Sequence, residues 1–116
     1  MTLCAHRDKP VYVRLRDTIA DAILSGRYGD GDSLPSVRAF AADQGANPLT
    51  VAKAYQGFQD EGLVIVRRGV GMFVADGARA RLRETERVQF IHGEWPEIRA
   101  RMKRLGIDPA ELLADA

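Results

Sequence analysis

Between Ser36 and Gly62 the chain carries two short amphipathic helices with almost nothing between them, and few folds accommodate that arrangement. Ser36 can cap the free amides of a helix holding Val37, Phe40 and Ala41, and Gly45 stops it. Asn47 and Pro48 restart helical structure at once. Asparagine is a strong N-cap, and a proline at the first helical position gives up an N–H that has no partner there anyway. Val51, Ala54, Tyr55 and Phe58 then recur at three- and four-residue spacing, a buried stripe that Gly62 ends. Two short helices joined by a tight glycine-containing turn form a helix-turn-helix.

The flanking segments extend the pattern. Pro10 opens an earlier amphipathic helix with Tyr12, Leu15, Ile19 and Ile23 on one face, ending near Gly26; Tyr28, Gly29, Asp30, Gly31 and Asp32 follow as a loop. Leu63, Val64, Ile65 and Val66 form a β-branched run, Gly69 and Gly71 supply a turn, and Met72, Phe73 and Val74 form a second run. Together they predict a β-hairpin with arginines at its tip. Helix, helix, helix, hairpin is the order of an α+β winged helix-turn-helix. After Asp76 and Gly77 the composition turns arginine- and glutamate-rich, so the expected organisation is a winged domain over 8–76 and a short all-α tail over 77–116. In the tail Val88, Ile91, Trp95, Ile98, Met102 and Leu105 step by three and four residues, which aligns them on one helical face. Pro96 implies a kink, or two helices meeting near Gly93. Asp108 and Pro109 begin a last short helix holding Leu112 and Leu113.

Composition narrows the function mainly by exclusion. A chain of 116 residues holds one compact domain, or a small domain with an appendage. The net charge of +1 is no argument for a nucleic-acid partner, so any positive face must come from local clusters such as Arg67 with Arg68, or Arg79, Arg81, Arg83 and Arg87. No apolar run approaches the length of a signal-peptide core or a membrane span, which predicts a cytoplasmic protein with no membrane partner. Cys4 is the single cysteine, and His6 and His92 have no metal-like spacing with it or with each other, so neither metal nor cofactor is expected. Gly69, Val70 and Gly71 lack the flanking pattern of a phosphate-binding loop, and Ser25 and Ser36 have no evident triad partner. The chain does not read as an enzyme.

A helix that enters a DNA groove must project polar side chains from its first turn. With Val51, Ala54 and Phe58 inward, the outward positions are Asn47, Leu49, Thr50 and Lys53. Asn47 and Thr50 can hydrogen-bond phosphate or a base edge. Leu49 can make only apolar contact, for instance with a thymine methyl, and Lys53 suits phosphate. Asn47 acting as a cap alone stays open. Ser36 and Arg38 stand at the start of the preceding helix, which crosses the backbone in this architecture; Arg38 can clamp phosphate or guanine, or pair with Asp32 or Asp43. Arg67, Arg68, Gly69 and Gly71 form the wing, where glycines permit close approach and arginines reach phosphate or the minor groove.

Several runs are carried in unbroken order over residues 10–75. They are Ile23-Leu24-Ser25-Gly26-Arg27, Gly31-Asp32-Ser33-Leu34-Pro35-Ser36-Val37-Arg38, Asn47-Pro48-Leu49-Thr50-Val51, Ala54-Tyr55, Glu61-Gly62-Leu63 and Arg67-Arg68-Gly69-Val70-Gly71-Met72-Phe73-Val74. This sequence resembles the GntR family of bacterial regulators. Most members carry a large effector domain, for which a tail of roughly 40 residues leaves no room. Met102-Lys103-Arg104-Leu105-Gly106-Ile107 and the pattern from Asn47 to Tyr55 are similar to the YtrA subfamily. The resemblance implies a sequence-specific regulator, a repressor in this subfamily, that binds a palindromic operator in double-stranded DNA as a homodimer. It also implies control of its own operon together with ABC-transporter genes. It carries DNA contacts onto Arg38, Asn47, Leu49, Thr50, Lys53, Arg67, Arg68, Gly69 and Gly71, and dimerisation onto the face from Val88 to Leu105. One departure stands out: many relatives have arginine where this chain has Pro48, so base readout does not transfer to that position. Three alternatives stay open: a winged module that binds protein and not DNA, a tail face packed on its own domain, and an unidentified small-molecule effector near Phe90, Trp95 and Met102.

Overall fold

The structure is a computed structural model and describes residues 10–114; Cys4 and His6 lie outside the described residues. Helix α1 (Val11–Leu24) sinks Leu15, Ile19, Ala20 and Ile23 into the core and leaves Tyr12 half-buried at its edge. Pro10 stands just before the helix, and its carbonyl accepts the N–H groups of Val13 and Arg14. Helix α2 (Val37–Gln44) starts where Ser36 Oγ accepts the Ala39 N–H at 3.0 Å. It ends at Gly45, whose φ of +62° lets the Ala46 N–H turn back to the Ala41 carbonyl. Helix α3 (Pro48–Asp60) follows after Asn47 and buries the expected stripe of Val51, Ala54, Tyr55 and Phe58.

Strands β1 (Val64–Arg67) and β2 (Gly71–Val74) pair antiparallel, with Val64 opposite Val74 and Arg67 opposite Gly71. At the tip the Val70 N–H reaches the Arg67 carbonyl across Arg68 and Gly69. Gly69 takes φ +78°, the conformation the third position of a type II turn requires. The end of the 28–32 loop does more than its glycine- and aspartate-rich composition suggests. Gly31 and Leu34 donate to the carbonyls of Val74 and Met72, Val74 donates back to Asp32, and Ser33 bridges Phe73. The second edge of β2 is thereby paired as well, and Leu34 is drawn into the core at 5% exposure.

One apolar cluster holds these elements together. Leu15, Ile19 and Ile23 of α1, Phe40 of α2 and Val51, Tyr55 and Phe58 of α3 meet Leu34, Leu63, Val64 and Val74. Burying each large side chain contributes about 1.5–3 kcal/mol. The cluster also takes in Ala78 and Leu82 from helix α4 (Ala78–Gln89), and three hydrogen bonds fasten the start of that helix. Asp30 Oδ2 accepts the Gly77 N–H at 2.8 Å, Arg79 Nε donates to the Leu24 carbonyl at 3.0 Å, and Arg81 donates to the Gly62 carbonyl at 2.6 Å. The two guanidinium groups thus lie at the C-terminal ends of α1 and α3, where cations oppose the negative pole of the helix. The chain divides into compact units between Leu82 and Arg83, later than the composition change at 76/77, because the first residues of α4 belong to the winged core.

Beyond that boundary α4 runs without a break through a π-helical turn (Phe90–Glu94) into α5 (Trp95–Arg104), and α6 (Pro109–Ala114) follows. The Trp95 N–H donates to the Phe90 carbonyl five residues back. This wide turn sits directly before Pro96, which occupies the first turn of α5. The kink or helix junction expected near Gly93 is resolved as a π turn, which meets the missing N–H of proline without ending the helical path. None of the described residues after Leu82 is buried.

Leu82→Ala is expected to lower unfolding stability by about 3 kcal/mol, since it empties a site in the winged core. Leu49→Ala, at a side chain 80% exposed, should stay within about 0.5 kcal/mol of wild type. Urea titration followed by far-ultraviolet circular dichroism checks both.

Candidate nucleic-acid interface

The exposed surface of α3 is decided by what its inner face must bury. With Val51 and Phe58 at 0% exposure, Asn47, Leu49 and Lys53 are left outside, and Thr50 is half-buried. Asn47 does cap the helix: its Oδ1 accepts the Leu49 N–H at 2.8 Å, which leaves the amide nitrogen of the side chain for other partners. Cap and contact are therefore compatible in one side chain. The Lys53 ammonium lies 4.1 Å from the centre of the Tyr12 ring on α1. To reach a phosphate it must give up that contact, worth about 0.5–1 kcal/mol at an exposed site.

Ser36 and Arg38 begin α2 as the sequence places them. The Ser36 oxygen is engaged with Ala39, and its hydroxyl hydrogen remains available as a donor. Arg38 is exposed and makes no ion pair with Asp32 or Asp43. Asp32 accepts the Gly29 N–H instead, and Asp43 accepts from the Gln44 side chain. Across from this helix start, a groove of about 360 Å³ is lined by Pro35, Ser36 and Val37 on one side and by Arg67, Arg68, Gly69, Val70 and Gly71 on the other. Structure thus brings the start of α2 and the wing to one surface feature. Arg68 has no hydrogen-bond or ion-pair partner among the described residues. Arg67 lies over the Phe73 ring at 5.2 Å, its diagonal neighbour across the hairpin.

Several positioning groups escaped the sequence reading. Tyr55 is 2% exposed, and its hydroxyl donates to the Pro35 carbonyl at 2.8 Å, tying α3 to the residue that precedes the α2 cap. Burial, with a smaller contribution from Tyr28, pushes the Tyr55 phenol well above its ordinary pKa of 10.0. Arg79 and Arg81, read from sequence as part of a positive cluster, are engaged with helix-end carbonyls. Arg87 lies 4.0 Å from Glu84. Their partners on α1 and beyond α3 lie far away in the chain, so spacing gave no signal for them. Among the described residues, no group of three His, Cys, Asp or Glu side chains is placed to hold a metal ion. No helix among them is long and apolar enough to cross a membrane.

Comparison with known proteins meets this geometry at the winged unit. The family model for bacterial regulatory proteins of the gntR family matches residues 11–74, more than half of the chain. The chain belongs to the GntR family. The HTH-type transcriptional repressor YtrA of Bacillus subtilis (strain 168) is 33% identical over 99 residues, which covers 85% of this chain and 70% of YtrA. A GntR family transcriptional regulator from Listeria monocytogenes superimposes with a TM-score of 0.75 at 27% identity, covering 92% of each chain. The likeness therefore extends past the winged unit into the short tail. The AraR DNA-binding domain, solved in complex with operator ORX1, matches with a TM-score of 0.56 at 25% identity over 58% of this chain and 81% of that one. This GntR member is a transcriptional regulator, and its winged helix is of the DNA-binding kind.

Removing the Tyr55 hydroxyl leaves the Pro35 carbonyl without its partner, so Tyr55→Phe should lose about 1–2 kcal/mol of stability near neutral pH. The unfolded phenol ionises near pH 10.0 and the folded one only above it. Wild type therefore keeps the tyrosine contribution below that pH and loses it as pH rises further, whereas Tyr55→Phe lacks this component of alkaline destabilisation. Denaturant titrations of both proteins between neutral and alkaline pH read the difference.

Proposed function

We propose that this GntR regulator is a repressor that binds a palindromic operator as a homodimer, with α3 in the major groove and the β1–β2 wing gripping the backbone alongside. The observation that carries the reading is the exposed set of Arg38, Asn47, Leu49 and Arg68, with Thr50 half-buried beside them, on a winged helix whose inner residues are all committed to the core. Ser36, Lys53 and Arg67, with Gly69 and Gly71 at the tip, complete the contact surface. The fold shared with the operator-bound AraR domain supports duplex DNA as the partner. The name of the Bacillus subtilis relative supports repression.

The homodimer reading rests on the tail. Val88, Ile91 and Leu105 are 44%, 39% and 62% exposed, and Trp95, Ile98 and Met102 are half-buried within a single chain, so an apolar helical face is left for a second copy to cover. Twofold pairing places two α3 helices on half-sites about 10 bp apart or a multiple of that. Control of its own operon with ABC-transporter genes follows from the family resemblance, and action in the cytoplasm from the lack of any long apolar run in the sequence.

Selection of bound fragments from randomised duplexes, followed by titration across salt, tests the proposal. Arg38→Ala and Thr50→Ala are expected to abolish operator selectivity. Arg67→Ala should weaken all duplexes alike and lower the salt slope by about one. Sedimentation should show a dimer that Ile98→Asp converts to monomer. Affinity that is absent or independent of salt would instead mark a winged module that binds protein.

A further inference from the structure

The first turn of α3 has an unusual set of groups left to offer. Pro48 has no N–H, the Leu49 N–H is held by Asn47 Oδ1 at 2.8 Å, and the N–H groups of Thr50 and Val51 both go to the Asn47 carbonyl at 3.0 and 3.1 Å. Every backbone donor here is missing or satisfied, so recognition falls to side chains. Leu49 is 80% exposed and serves no core. Beside it stands the Asn47 carboxamide, turned so that its oxygen faces the Leu49 N–H and its nitrogen is the free function. A hydrogen-bond donor and a branched apolar group are thereby held next to each other.

In the major groove, thymine combines an acceptor, O4, with a methyl group at C5. Guanine offers acceptors without a methyl, cytosine offers a donor, and adenine offers an acceptor beside a donor. The two-point contact of asparagine with adenine uses the side-chain oxygen, which here is engaged in the cap. We infer that Asn47 and Leu49 together read a thymine in each half-site, Asn47 Nδ2 donating to O4 and Leu49 packing on the C5 methyl. Leu49 is then a specificity-determining residue of the operator contact. The inference rests on α3 lying in the major groove, as proposed above.

The test uses the full chain and the tightest duplex recovered from a randomised library. Each thymine is replaced singly by deoxyuridine, which lacks only the C5 methyl, or by 5-methyldeoxycytidine opposite guanine, which keeps the methyl but presents a donor at position 4. At one thymine per half-site, deoxyuridine should weaken binding about fourfold, the effect of one buried methyl, and 5-methyldeoxycytidine should weaken it at least as much. Leu49→Ala, its folding verified by circular dichroism, should bind the thymine and uracil duplexes equally. If wild type binds the selected duplex but no uracil replacement matters, or if Leu49→Ala keeps the uracil penalty, the thymine assignment is overturned while operator binding stands. If no duplex is enriched, the DNA reading itself fails and takes this inference with it.

Discussion

Tyr55 stands on α3 and is hydrogen-bonded off it. Its ring packs 5.9 Å from Phe40 of α2 in the core, and its hydroxyl ends on the Pro35 carbonyl just before the Ser36 cap. One side chain therefore sets where α3 lies against α2 and where the α2 start lies against the wing groove. A buried phenol without that acceptor would be costly, so the core and the candidate interface are bound to the same geometry. The outer residues of α3 owe their exposure to this commitment, since a helix with one face fixed has no freedom in what it presents.

Local chemistry made most of the fold legible. The Ser36 and Asn47 caps, the Gly45 stop and the stripe through Val51 and Phe58 act within a few residues of each other, and all are found as read. What escaped depends on partners distant in the chain. The bridge from Ser33 to Phe73, the Asp30 hold on Gly77 and the Arg79 and Arg81 bonds to α1 and Gly62 carry no periodicity of their own. The exposed positions Asn47, Leu49 and Lys53 were readable for the same reason as the fold, because they follow by subtraction from the inward ones, whereas Thr50, read as outward too, is half-buried. The engagement of Lys53 with Tyr12 was not, since it joins two helices across the surface.

The small net charge also becomes intelligible. Carboxylates of Asp30 and Asp32 are turned onto backbone N–H groups of Gly77 and Gly29, and Glu61 lies 3.7 Å from Arg16. These acids serve the scaffold and not the surface around Arg38 and Arg68. A chain that is nearly neutral overall can thus present locally uncompensated cations to a polyanion, and sequence-wide charge is blind to that distribution.

The π turn at Phe90–Glu94 separates Val88 from Ile98, Met102 and Leu105 along one helical path. A π turn holds one residue more than an α turn, so its presence is equivalent to a single inserted amino acid. Loss of one residue there would restore regular winding and leave every later side chain close to its present azimuth, because the bulge already absorbs the extra residue within a single turn. The downstream apolar ridge is in this way shielded from a one-residue difference in length at this spot, so the tail can gain or lose that residue without re-aiming the face it presents.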